Sequence, residues 1–281
     1  MIEYLIAATF IGMLFHGIHR KVIARIQQRP GPPIWQEILH ALKFSFKETW
    51  IPETASQALF VGVILVAIGI WSAALFVLLS GGSLLLLFGI YMLHKIVEHG
   101  TGLSSGSPYG KFGAIRSVIT AAAEIPLFAT IAAVYLFTGS LAISDIAAYQ
   151  QVHGPLLFIV PPAALAMYLV ILTKVYYSPF AVIESKEIVS GYKTEHFGVW
   201  RAALEVGFSL KTFVLLYAFV IVFIGLLPIW WTLLLMLAIL VSISFVCALT
   251  PMLSPYDSVT VQSIATGLIV AALAVQWVVM A

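Results

Sequence analysis

Runs of about 20 residues with almost no charge recur along this chain, and they dictate most of what it can fold into. A helix crosses roughly 30 Å of hydrocarbon with about 20 apolar residues, and lipid offers its backbone no hydrogen-bonding partner outside the helix. Eight such stretches are legible, at about 2–18, 57–79, 82–98, 112–138, 155–177, 200–225, 229–250 and 258–280. Hydrophobic residues fill 62% of 281 positions and charged residues 9%, far more apolar surface than a water-soluble core of this length would bury. The short alternating strands of a membrane β-barrel are absent from the sequence. The expected fold is an all-α integral membrane protein, a bundle of about eight transmembrane helices in a single domain over 1–281. Residues 4–18 are not read as a secretory signal: Glu3 precedes the apolar run and the cations follow it, the reverse of a signal peptide's order.

The few charges are sorted. Arg20, Lys21, Arg25, Arg29, Lys43 and Lys47 occupy the first connection, Lys111 the third, and Lys186 and Lys193 the fifth; the second, fourth and sixth carry no Lys or Arg. By the positive-inside rule the odd-numbered connections are cytoplasmic and both termini lie on the outer side of the cell membrane. The cytoplasmic loops are then about 19–56, 99–111 and 178–199. A net charge of +2 gives no argument for nucleic acid, and the single Cys247, set in an apolar run, offers neither a disulfide nor a metal cluster. Any metal or iron–sulfur chemistry is therefore expected on partner subunits.

The first loop, "HRKVIARIQQRPGPPIWQEILHALKFSFKETWIPE", is more than a basic segment attracted to anionic lipid headgroups. "RPGPP" is a rigid element, and the following stretch returns to helical periodicity, with Ile34, Ile38, Ala41, Leu42 and Phe46 sharing a face. The pattern R-K-x-x-A-R-x-Q-x-R-x-G-P at 20–32, with Gln36, Lys43 and "KETWIP" at 47–52, resembles the subunit that joins the membrane and hydrophilic arms of respiratory complex I. It resembles more closely the equivalent subunit of energy-converting [NiFe] hydrogenases and formate hydrogenlyases, because "GPPIWQ" lacks the insertion usual in quinone-reducing relatives. "SPYGKFGAIRSVITAAAEIP" at 107–126 and "SPFAVIESKEIVSGYKTEHFG" at 178–198 extend the resemblance. In the second segment Glu184, Glu187 and Glu195 fall on family acids. The chain departs from the family at His40 and at Ala181, where aspartate is usual. "GSPYGK" at 106–111 is not a phosphate loop: its glycines are too close, Phe112 stands where a hydroxyl is needed, and no strand precedes it.

Several ionisable residues fall inside apolar spans, where a charge costs about 2.5–3.5 kcal/mol on insertion scales. Glu124 is placed near mid-membrane, with Arg116 two turns before it on nearly the same helical face. Arg201 and Glu205 form an i, i+4 pair, and Lys211 lies deeper in the same helix. That lysine is expected either to pair with a glutamate from another span or to serve a proton path. His94, Lys95, Glu98 and His99 crowd one end of the third span and read as an interfacial, snorkelling group, with Glu98 a secondary candidate for admitting protons.

The resemblance implies a membrane subunit of an oxidoreductase complex that contains no redox centre of its own. The iron–sulfur clusters and a nickel–iron centre would sit in hydrogenase small and large subunits and a ferredoxin-like cluster subunit, alongside antiporter-like membrane subunits. Arg20, Lys21, Arg25, Arg29, Lys43 and Lys47 would dock the cytoplasmic arm. Glu124, Glu184, Glu187, Glu195, Glu205, Lys211, Arg116 and Glu98 would couple ferredoxin- or formate-linked hydrogen chemistry to proton or sodium movement. A quinone-binding linker of a complex I-like dehydrogenase is the alternative, and it requires a chamber beside the first loop. A self-sufficient secondary transporter is a third reading, suggested by Pro126 and the Pro161-Pro162 pair.

Overall fold

A computed structural model describes residues 2–119, 125–181 and 191–280. Glu124, Glu184 and Glu187 therefore lie outside the described residues. The chain is a helical bundle: α1 (Ile2–Ile26), α2 (Gln36–Ser45), α3 (Gln57–Leu79), α4 (Leu84–Ser104), α5 (Pro108–Ile119), α6 (Ile125–Thr138), α7 (Ile143–His153), α8 (Leu156–Ile159), α9 (Pro161–Lys174), α10 (Gly198–Phe223), α11 (Ile229–Leu249) and α12 (Pro255–Met280). A 3₁₀ turn, Gly191–Glu195, precedes α10. Among the described residues α1, α3, α10, α11 and α12 are each long and apolar enough to cross a membrane, and α6 and α9 are shorter apolar helices.

One helix organises the rest. In α10, 89% of the apolar stretch is buried inside the protein, against 22% in α12. It packs against α1, α2, α3, α7, α9 and α11. Its interior face is therefore protein on nearly all sides, which is why Glu205 and Lys211 can reside there without meeting lipid. The short turns at 80–82 and 225–228 make packed neighbours of α3 with α4 and of α10 with α11, as loops of that length require.

Two expected spans are interrupted. The stretch 155–177 divides at Val160 into α8 and α9, because Pro161 and Pro162 cannot donate to the preceding turn, and Pro161 instead starts the new helix. The stretch 112–138 is represented by α5 and α6, which flank residues outside the description. The fourth connection, which carries no long apolar run, nevertheless contains α7. There Ile143, Ile146 and Ala147 are buried, Gln150 Nε2 donates to the Ile221 carbonyl at 3.0 Å, and Gly154 ends the helix at φ +89°. The predicted amphipathic helix of the first loop forms as α2, but its face is turned differently from a core-packed one. Glu37 and Ala41 are buried, whereas Leu42 and Phe46 are exposed.

Close helix approach depends on two glycines of α1. A Cβ at Gly12 would stand 2.1 Å from the Ser209 carbonyl oxygen of α10, and one at Gly17 would stand 1.7 Å from that of Ile34. Gly12→Ala and Gly17→Ala should each destabilise the bundle by about 1–3 kcal/mol. Gly62→Ala, at a position with open space, should be tolerated. Thermal unfolding of the purified variants in detergent checks the contrast.

Candidate functional site

The second half of α4 places His94 and Glu98 one turn apart, with Lys95 three residues from Glu98, so all three can converge on one side of the helix. The helix presents that side to α3, α9 and α10. Glu98 is 4% exposed, and four basic groups surround its carboxylate. His94 Nε2 lies 3.1 Å from Oε1, Lys95 Nζ 3.5 Å from Oε2, Lys174 Nζ 3.3 Å from Oε2, and Lys211 Nζ 4.0 Å from Oε1. Three helices thus contribute: α4 itself, α9 through its last residue, and α10 from its interior. A carboxylate cannot be removed from water uncompensated, and this arrangement supplies the compensation.

Neighbouring groups fix the geometry further. Trp71 of α3 donates its indole N–H to His94 Nδ1 at 3.2 Å. An indole nitrogen only donates, so Nδ1 is the acceptor and the imidazole hydrogen sits on Nε2, facing Glu98. The Lys174 ammonium lies 5.3 Å from the Tyr91 ring centre, and that of Lys211 lies 4.6 Å from the Phe208 ring centre. A small cavity of about 10 Å³, bordered by Trp71, His94, Glu98, Thr101 and Gly207, abuts the carboxylate. That space matches roughly one water molecule.

A second polar group adjoins the first. Arg201 pairs with Glu205 at 2.9 Å, and Tyr176 Oη donates to Glu205 at 3.4 Å. The Lys193 ammonium lies over the Tyr176 ring at 3.3 Å and 4.3 Å from the Phe208 ring centre. Phe208 therefore has Lys193 on the side of the fifth connection and Lys211 on the side of Glu98. The two groups form one path joined through the Phe208 ring, with Arg201, Glu205, Tyr176 and Lys193 on one side of it and Lys211, Glu98 and His94 on the other.

The predicted residues distribute unevenly over this path. Glu98, Glu205 and Lys211 lie on it, and Lys211 meets a glutamate from another helix. Glu195 is half-buried at the end of the 3₁₀ turn, and Arg116 is half-buried on α5. The snorkelling assignment is corrected: His94 and Glu98 are enclosed by helices, because α10 and α9 cover the side of α4 that the sequence had left facing an interface. Among the docking cations Arg25, Arg29, Lys43 and Lys47 are exposed, but Arg20 is held by Glu37 of α2, and Lys21 Nζ donates to the Pro30 carbonyl at 2.8 Å. Glu37 also lies 3.6 Å from His40 Nδ1. Lys174, Tyr176 and Glu37 are residues that sequence reasoning missed. Lys174 is the one that carried a signal, being a lone cation within an apolar span.

An all-helical membrane bundle with an enclosed ion-pair cluster and a basic loop at one end defines an integral membrane protein built to hold charge internally. A profile of the NADH dehydrogenase family matches residues 1–280, and the chain belongs to that family. It is 50% identical over 272 residues to a provisionally named NADH-ubiquinone oxidoreductase of Methanocaldococcus jannaschii, covering 95% of this chain and 92% of the relative. A subunit of the Dehalococcoides mccartyi NADH-quinone oxidoreductase is 31% identical over 66% of this chain and 57% of its own length. A subunit of the Thermus thermophilus NADH-quinone oxidoreductase is 28% identical over 67% and 58%, so this chain matches little more than half of either bacterial relative. A chain in the solved structure of the membrane-bound sulfane sulfur reductase, an archaeal respiratory membrane complex, superposes with a TM-score of 0.83 at 27% identity, covering 97% of each chain.

Removing the central carboxylate should be costly, because the surrounding cations lose the charge that solvates them. Glu98→Ala should destabilise the protein by about 3–5 kcal/mol, and the Glu98→Ala, Lys174→Met double variant by less than the sum of the two single changes. Chemical unfolding of the four proteins in detergent measures both.

Proposed function

We propose that this chain is the linker subunit of an energy-converting complex of the [NiFe] hydrogenase type, docking a cytoplasmic redox arm and passing the effect of its chemistry into the membrane as charge. The observation that carries the reading is the position of Glu98, enclosed among His94, Lys95, Lys174 and Lys211. A carboxylate with several basic neighbours titrates together with them, so a charge change at one member redistributes protons over all. The path through Glu205, Tyr176 and Lys193 extends the cluster toward the fifth connection, which belongs to the proposed docking face. Exposed Arg25, Arg29, Lys43 and Lys47 present cations to an acidic partner surface. Glu124, Glu184 and Glu187 are proposed as further members on the strength of the sequence. The complex's iron–sulfur clusters and nickel–iron centre belong to its other subunits, and antiporter-like neighbours move the ions.

Coupling then runs in steps that this chain's residues can perform. Reduction in the arm alters charge at the fifth connection. Lys193, Tyr176 and Glu205 feel that change across a poorly screened interior, and Lys211 transmits it to Glu98. The cluster shifts its proton, and the neighbouring membrane subunit meets a changed field.

A quinone-binding linker is the second reading, favoured by one feature: a cavity of about 470 Å³ beside the first loop, lined by Arg20, Ile23, Ala24, Arg29, Pro32 and Tyr177. Mild solubilisation decides between the readings. A nickel-containing large subunit and a cluster-bearing small subunit should co-purify, and quinone addition should leave turnover unchanged; stimulation by quinone in a nickel-free assembly would establish the second reading. Within the preferred one, Glu98→Gln should retain hydrogen evolution while reducing coupled ion transport in proteoliposomes by about tenfold or more. Transport at wild-type level in an intact assembly would reject it.

A further inference from the structure

Two histidines of α1 take no part in the path described so far, and both are buried. His19 is inaccessible, and it joins three segments of the chain. Its Nε2 lies 2.7 Å from the Tyr176 carbonyl oxygen, just beyond α9, and its Nδ1 lies 2.7 Å from Ser244 Oγ of α11. The carbonyl can only accept, so Nε2 carries a hydrogen in every state. Ser244 differs, because its hydroxyl has two possible destinations. Its Oγ is 2.7 Å from the Leu240 carbonyl oxygen as well as 2.7 Å from the ring.

Two protonation states therefore fit the same heavy-atom positions. With neutral His19, the Ser244 hydroxyl donates to a bare Nδ1. With the imidazolium, Nδ1 donates to Ser244 Oγ, and the hydroxyl hydrogen turns to the Leu240 carbonyl. One proton is gained, no electron moves, and both ring nitrogens keep a partner, while the Ser244 hydroxyl exchanges its donation from Nδ1 to the Leu240 carbonyl.

His16 lies one turn earlier. Its Nε2 lies 2.7 Å from Thr212 Oγ1, and that oxygen is 3.1 Å from the Phe208 carbonyl oxygen. The Thr212 hydroxyl has the same two destinations as that of Ser244: it donates to Phe208 while accepting from Nε2, or it donates to a bare Nε2. The His16 Nδ1 atom is buried with no partner among the described residues. Thr212 directly follows Lys211, and the His16 ring packs edge-on against Tyr176 with centres 4.7 Å apart. The pair thus touches the charge path at two of its members.

We propose that His19 is a proton-carrying residue of the coupling path, with Ser244 as its hydrogen-bond switch. The proposal deepens the coupling reading above and rests on it for its purpose, though proton binding by His19 stands by itself. Among the described residues the charged and titratable groups that bear on the pair are Arg20 of α1, Tyr176 and Tyr177 beyond α9, Lys193 of the 3₁₀ turn and Lys211 of α10, with Glu37 of α2 and Glu205 of α10 acting on Arg20. A change of charge on Lys193 or Lys211 therefore reaches the pair.

Solid-state ¹⁵N NMR of the intact complex in lipid tests this, with the two rings assigned by the signals lost in His16→Gln and His19→Gln. Between pH 8 and 5 the His19 signals should pass from a single neutral tautomer to the doubly protonated ring. Ser244→Ala should displace the His19 midpoint by about one pH unit, since it removes a hydrogen bond that is stronger to the charged ring. His19 remaining neutral across the range, or a midpoint unmoved by Ser244→Ala, overturns the proposal. In transport assays His19→Gln should assemble and flatten the pH profile between about 6 and 8; an unchanged profile counts equally against it. Should Glu98→Gln leave transport intact, the coupling reading fails, while the wild-type titration still decides whether His19 binds a proton.

Discussion

The structure turns on the burial of a carboxylate in a medium that does not solvate it. Glu98 lies among helices that are otherwise almost wholly apolar, and an isolated charge there would be strongly disfavoured. Its neighbours remove the difficulty by approaching from several directions at once. Lys174 comes from the end of α9, Lys211 from the interior of α10, and His94 and Lys95 from the same helix as the glutamate. The three lysines are equally unwelcome alone, so each charged member of the cluster makes the burial of the others tolerable. Moving any one of the three helices would break the set.

That mutual dependence explains the central place of α10. A helix carrying Arg201, Glu205 and Lys211 cannot face lipid along its whole length, and the bundle encloses it on nearly every side. Its enclosure brings α1 close enough for Gly12 to be necessary, and it sets Thr212 against His16. Packing and electrostatics are thus one constraint, and the small residues of α1 allow the contact that the charges of α10 require.

Family membership fits this economy. The chain superposes over nearly its full length on a subunit of an archaeal respiratory membrane complex, yet it matches little more than half of the bacterial NADH-quinone oxidoreductase subunits. What the superposition shares is the helical frame. The proposed coupling role uses that frame without asking the chain for a redox centre, and the two histidines of α1 add a point at which protonation meets packing.

The sequence by itself determined the helical membrane architecture, because a 20-residue apolar run has few other outcomes in lipid, and it marked Glu98, Glu205 and Lys211 as residues needing an explanation. It also indicated the helix of the first loop, and it singled out Pro161-Pro162 as a kink site while reading 155–177 as one span. It did not show α7, whose buried face is short and lacks the long apolar run that hydropathy detects. It misplaced the His94–Glu98 group at an interface, since spacing along α4 reveals which residues share a face but not what covers that face. It gave no sign that Lys174 would meet Glu98, 76 positions away, or that His19 would reach Ser244, 225 positions away. Those partnerships were decided by tertiary structure, because only the packing of α9, α10 and α11 around α1 and α4 brings distant polar groups within a hydrogen bond of one another in a solvent that supplies none.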